Sequence, residues 1–353
     1  MSEVLLRQLG CPPFRQRIPW WGADLQTLRD TLRGTPQLPA QPEALTMPIG
    51  ASAALLALLD RPSSEPAQAL VLLTHGLGGS SEAPGPRRLA QTLTREGFAV
   101  LRLNLRGAGA GRALAPGTYA ADCSDDLLPV LEQARLLAGV LAGKGEPLPL
   151  VGAGISLGGT VLLNAMGQAL KRRRPALDGL VCISSPLDLQ ACAHQFERPR
   201  NRLYQHWLVQ RLCRQTLADP HGLSQSERLA LTGAGRPRSI RHFDALITAP
   251  RWGYTSVDQY YTDASPQRWL QADLPLPPTL LLHAADDPWV PADTTLALAR
   301  LQADDAAALP KNLELCITPR GGHNGFHGQG DSPQGCWSDR VAARWLLARL
   351  PRG

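Results

Sequence analysis

Four short, almost uninterrupted apolar runs constrain this chain more than anything else in it. They are "ALVLLTHG" (69–76), "FAVLRLNLRG" (98–107), "LPLVGAG" (148–154) and "LDGLVCISS" (177–185). Segments of helical spacing lie between them, at 86–95, 122–141 and 157–171. Runs this short and this apolar belong to strands buried on both faces, and their alternation with helices makes β-α-β units in a parallel sheet covered on both sides. Two later runs, "PPTLLLHAA" (277–285) and "NLELCITP" (312–319), extend the sheet, and 43–59 reads as a hairpin pairing antiparallel at its edge. The alternation breaks between 187 and 275, a polar stretch rich in Arg, Gln and His. A structureless loop of that length does not suit a compact domain, so a helical insertion is expected there. The expected architecture is a doubly wound α/β core (43–186 and 276–353) with an N-terminal extension (1–42) and a helical lid (187–275) above the C-terminal ends of the strands.

Of the 353 residues 44% are hydrophobic and 19% charged, which suits a globular core. The net charge of +6 is carried mostly by arginines scattered through helical segments, with no aromatic-interleaved stripe, so nucleic acid is not an expected partner. The one basic run, "KRRRP" at 171–175, reads as the solvated end of a helix. Seven cysteines without metal spacing read as reduced thiols, and the N-terminal "MSEVLLRQLGCPPFRQRIPWW" as neither signal peptide nor membrane anchor. A cytoplasmic protein is expected.

Chemistry enters at "VGAGISLGG". Gly154, Ser156 and Gly158 form a G-x-S-x-G in which the serine sits between an apolar strand and a helix. Such a turn forces unusual backbone angles, keeps its neighbours small, and aims the free N–H groups of a helix start at any anion formed beside the serine. A dinucleotide loop fails, because Leu157 occupies the third glycine position. A serine nucleophile needs a base and an orienting acid, which in this architecture follow later strands. The strand at 277–285 runs into "DDPWVP", and the last strand runs into "RGGHNGF", placing His323 behind two glycines. His323 and His327 are the two histidines after the acid, and His323 lies in the loop itself. Asp287, three residues before Val290, is favoured as the acid; Asp286 stays open as the alternative. Backbone N–H groups of Leu77, in "THGLGGS", and Leu157 are the expected oxyanion donors. His75 reads as a brace for that loop.

Together "THGLGGS", "NLRGAGAG", "VGAGISLGGTVLLNAMG", "HFDALITAPRWGYTSVDQYYTDAS", "AADDPWVP" and "RGGHNGF" resemble the YheT-like branch of the α/β-hydrolases. Its eukaryotic relatives are the α/β-hydrolase-domain proteins 1, 2 and 3 and the yeast medium-chain ethyl ester synthases. The resemblance runs from about Ala23 to the final helix, and the "FD…TAP…G…YY" segment at 243–261 is its most specific part. It implies the α/β-hydrolase fold and a serine esterase or acyltransferase, with Ser156 as nucleophile, Asp287 as acid and His323 as base. The expected substrate is a small acyl ester of short to medium chain, handled without metal or organic cofactor. Acyl transfer on the same triad and a catalytically silent binding protein are the competing expectations. Leu203, Trp207, Leu208 and Trp252 are the expected acyl-pocket walls, and Asp244 is expected to anchor the lid to the core. The motifs leave the oligomeric state open.

Overall fold

The computed structural model describes residues 2–350 except 39, 64, 65, 175, 271–273 and 333. Residues 1 and 39 of the expected extension, 271–273 of the expected insertion, and 64, 65, 175, 333 and 351–353 of the expected core thus lie outside the described residues. So does Pro175, the last residue of the basic run.

Eight strands form one sheet in the order β1-β2-β4-β3-β5-β6-β7-β8. They are β1 (Glu43–Pro48), β2 (Ala54–Asp60), β3 (Leu70–Thr74), β4 (Ala99–Leu103), β5 (Leu150–Ile155), β6 (Gly179–Ile183), β7 (Thr279–Ala284) and β8 (Leu313–Thr318). The first two pair antiparallel, β2 joins β4 antiparallel, and every later pairing is parallel. All residues of β3 to β7 are buried, the reason those segments read as unbroken apolar runs.

Alternation along each strand divides the core between the two faces. Leu70, Leu72, Leu101 and Leu103 pack on one side with α4 (Ser124–Ala142) and α5 (Leu157–Lys171). Val71, Leu73 and Val100 pack on the other with α3 (Pro84–Arg95) and the C-terminal helix α13 (Trp337–Arg349). The segment between β6 and β7 is helical, as its spacing implied. It contains α6 (Leu189–Glu197), α7 (Arg202–Leu217), α8 (Gln225–Thr232), α9 (Ile240–Phe243), a π-helical turn (Asp244–Thr248), α10 (Ala249–Arg251) and α11 (Val257–Ala264). The last crossover helix, α12 (Asp293–Asp304), lies between β7 and β8. No helix among the described residues is long and apolar enough to cross a membrane.

The N-terminal residues are woven into this core. Leu5 and Leu6 of α1 (Ser2–Gln8), with Leu9 just beyond it, are buried in the α13 face, and the Ser2 hydroxyl accepts the Ile317 N–H of β8 at 3.1 Å. Helix α2 (Ala23–Arg33) is tied to α3 and α13 through one buried cation. Arg88 of α3, 2% exposed, donates to Asp339 of α13 at 2.7 Å and to Asp30 of α2 at 2.5 Å. A buried ion pair adds little net stability over an apolar substitute, but removing one partner strands the other charge. Arg88→Met leaves the fully buried Asp339 without its cation, and we expect a loss of about 3–5 kcal/mol, read from the urea midpoint.

Candidate active site

Ser156 stands where β5 ends and α5 begins, with φ 54° and ψ −128°. A non-glycine residue with positive φ is held only by surroundings that over-determine it. Its N–H donates to Ile183 O at 2.8 Å. A Cβ on Gly158 would lie 2.4 Å from Thr74 O, and one on Gly154 would lie 2.3 Å from Gly159. The glycines let the helix start come back against the sheet, and that approach turns the serine outward.

Three further segments converge on it. His323 Nε2 lies 2.9 Å from Ser156 Oγ, and His323 Nδ1 lies 2.8 Å from Asp287 Oδ2. Asp287 Oδ1 accepts the N–H groups of Trp289 and Val290 at 2.8 and 2.9 Å. Burial alone would push this carboxyl up; electrostatic interaction with His323 and hydrogen bonds from His283 and His323 outweigh it and hold the group well below the usual carboxylate range. Asp286 turns the other way and accepts the Gly322 N–H at 2.8 Å, so it braces the histidine loop. Trp289 stacks on His323 with ring centroids 4.7 Å apart and planes 28° off parallel. His327 is remote from the serine, 3.5 Å from Asp30, and burial pushes its pKa down to about 3.

The loop after β3 forms the opposite rim. A Cβ on Gly76 would be 3.1 Å from that of Ser156, so this backbone lies against the serine, and Leu77 and Leu157 line the same cavity as Ser156 and His323. Leu157 opens α5, where N–H groups lack partners within the helix. His75 Nδ1 lies 2.9 Å from Gly76 O while its Nε2 accepts the Leu105 N–H at 3.2 Å, which fixes the ring as a neutral brace. Burial brings its pKa down to about 4.

The cavity holds about 440 Å³, within the range of small-molecule sites. Its lid-side walls are mostly apolar, among them Leu189, Phe196, Leu208, Leu212 and Phe243, with Trp207 and Arg211 beside them. No group of three His, Cys, Asp or Glu residues among the described ones could hold a metal ion.

Sequence comparison agrees with this geometry. Residues 69–328, about three quarters of the chain, match the alpha/beta hydrolase fold family. This protein belongs to that family. Among its relatives, Phospholipase ABHD3 of Mus musculus is 30% identical over 286 residues, 80% of this chain and 64% of that protein; the chain therefore spans less than two thirds of the relative's length. The YheT protein of Escherichia coli is 28% identical over 296 residues, 82% of this chain and 80% of the other. A soluble variant of monoglyceride lipase from Saccharomyces cerevisiae, crystallised with a substrate analog, superposes with a TM-score of 0.57 at 17% identity, covering 90% of this chain and all of the other, a likeness of fold.

Two expected pocket walls lie elsewhere in this α/β-hydrolase. Leu203 is 82% exposed, because it stands about 140° round α7 from Leu208 at 100° per residue. Trp252 lies in a separate groove, with its indole N–H on Thr118 O at 2.9 Å and the Arg106 guanidinium 6.0 Å from its ring. Asp244 does not join lid to core. It accepts from Thr248 at 2.7 Å and Tyr261 at 2.8 Å, both within the insertion, and faces the cavity.

Helix α2 is what motif reading missed. Thr27 Oγ1 accepts the His323 N–H at 2.9 Å, and Gln26 binds both the N–H and C=O of His327. A Cβ at Gly322 would sit 2.3 Å from Ala23 O, so the second loop glycine exists for this contact. The one signal was that the family resemblance begins at Ala23.

Two outcomes follow. Gly158→Ala drives a methyl into Thr74 O, and we expect loss of soluble protein or of all Ser156 reactivity, read with a fluorophosphonate probe. Burial, opposed by the two hydroxyl hydrogen bonds, raises the Asp244 pKa from 3.8 to about 6. The folded protein therefore binds this proton more tightly than the unfolded chain. Its contribution to stability is complete below about pH 4 and is lost as pH rises through about 6, and Asp244→Asn should flatten that part of the denaturation profile.

Proposed function

We propose that this protein is a serine hydrolase of carboxylic esters. The contact that carries the reading is Ser156 Oγ to His323 Nε2, 2.9 Å, at the head of a mostly apolar cavity. With Nδ1–H donated to Asp287, Nε2 is the unprotonated nitrogen and can take the serine proton as Oγ attacks an ester carbonyl. Asp287 then stabilises the imidazolium while the Leu77 and Leu157 amides receive the oxyanion. The imidazolium protonates the departing alkoxide, leaving an acyl-serine. Water attacks it with His323 again as base, and the carboxylic acid leaves. Trp289, stacked on the imidazole, keeps the ring from turning off this line.

The lid-side apolar walls receive the acyl chain, with short to medium chains favoured, and residues 187–275 act as the lid. Relatives named as a phospholipase and a monoacylglycerol lipase support an acyl ester as substrate class. Seven free thiols fit a reducing compartment, and the reading places the enzyme in the cytoplasm.

The test is a series of p-nitrophenyl esters from acetate to palmitate. We expect turnover with an optimum at short to medium chains, a loss of at least roughly 10⁴-fold in kcat for Ser156→Ala, and about 10⁴-fold for Asp287→Asn. Added ethanol separates hydrolysis from acyl transfer by whether ethyl ester appears. No turnover and no fluorophosphonate labelling of Ser156 would sink the reading in favour of a silent binding protein.

A further inference from the structure

The loop that carries Leu77 is anchored from the lid. Gly78 has φ +68° and is held on both sides of its backbone. Its N–H donates to the Tyr119 hydroxyl at 2.6 Å. Its carbonyl accepts two donors from one lid helix, Arg211 Nε at 2.5 Å and Gln215 Nε2 at 2.8 Å. At the other end of the loop His75 engages the Gly76 carbonyl. The peptide that carries the Leu77 N–H is thus held at its own carbonyl by His75, and Gly78 beyond it is pinned by Tyr119 of the core and by α7.

Arg211 is suited to the task and to little else in view. It lines the cavity beside the triad, forms no ion pair with a carboxylate among the described residues, and rests its guanidinium 5.4 Å from the Trp207 ring centroid. A charged donor on a carbonyl makes a stronger and more directional bond than a neutral one. Both lid donors hold the Gly78–Gly79 peptide, whose N–H donates to Gly76 O at 3.0 Å, the carbonyl of the very peptide that carries the Leu77 N–H, so a rotation there would swing the Leu77 N–H off the oxyanion.

We propose that Arg211 and Gln215 are positioning residues for the oxyanion hole. They fix the orientation of the Leu77 amide through the Gly78 carbonyl, so the lid helix takes part in transition-state stabilisation as well as in enclosing the acyl chain. This rests on the serine-hydrolase reading above. An amide held in place before reaction costs no reorganisation during it, so loosening it should raise the barrier while leaving ester binding alone.

The experiment compares wild type with Arg211→Met, Gln215→Leu, the double variant and Arg211→Lys on p-nitrophenyl butyrate, with Tm measured for each. The second readout is inhibition by an alkyl boronic acid, whose tetrahedral serine adduct places an oxygen where the oxyanion forms. Complete loss of one oxyanion donor costs about 10²–10³-fold in rate, and a misaligned one should cost roughly 10–100-fold. The double variant should lose that much kcat with KM nearly constant, and its boronic acid Ki should rise in proportion. Arg211→Lys, which retains a charged donor, should recover part of the loss. If the double variant does not fold, the single variants carry the same comparison. Unchanged kcat in the folded variants, or a loss of kcat with no change in boronic acid Ki, would overturn the proposal while leaving the hydrolase reading intact. A wild type that neither turns over esters nor labels at Ser156 would overturn both.

Discussion

One peptide conformation organises this molecule: Ser156 held at φ 54° between a fully buried strand and a fully buried helix start. Such a conformation relaxes unless its neighbours forbid it. Here Gly158 lies against the end of β3 and Gly154 lies against Gly159, so the strand-to-helix turn has nowhere else to go. The parallel sheet serves the same end. Its pairing register brings β3, β5, β6, β7 and β8 to one edge, and Leu77, Ser156, Asp287 and His323 each stand just beyond a strand that ends at that edge.

The parts legible in the sequence were those where burial or sterics leaves few options. Strands β3 to β8 announced themselves because almost every position in them is buried, and the elbow because two glycines flank a serine between a strand and a helix. His323 was legible from its place after the last strand. The choice between Asp286 and Asp287 was legible only as a preference, from the spacing of Asp287 to Val290, since both leave β7 together and side-chain direction separates them: one takes Gly322 N–H, the other His323. The lining of α7 was misjudged for a similar reason. Its low amphipathicity gives no phase, so Leu203 and Leu208 look equivalent in sequence while pointing to opposite sides. Trp252 reads as an apolar wall only until its N–H finds Thr118. Helix α2 was invisible as a site element because it acts through a threonine hydroxyl and a glutamine amide on main-chain groups, contacts with no motif.

Charge is handled in two different ways around the cavity. At its border Arg88 bridges the carboxylates of Asp30 and Asp339, and the same cluster lies beside a histidine kept neutral by burial. Inside it, Asp287 keeps its charge because histidines and main-chain amides surround it, whereas Asp244 meets only neutral hydroxyls and its pKa rises. Two carboxyl groups lining or bordering one site are thus driven in opposite directions by their partners.

The way the chain's two ends are joined bears on how the protein is made. Ser2 bonds to Ile317, Pro12 receives the Trp337 indole N–H, and Thr27 and Gln26 bind the loop at 323–327. A ribosome releases the first of these partners some three hundred residues before the second. Through most of synthesis α1 lacks its β8 and α13 partners and α2 lacks the loop at 323–327, and the nucleophile elbow emerges long before its base. The reactive centre therefore cannot assemble until the loop at 323–327 has been made, long after α2 and the elbow.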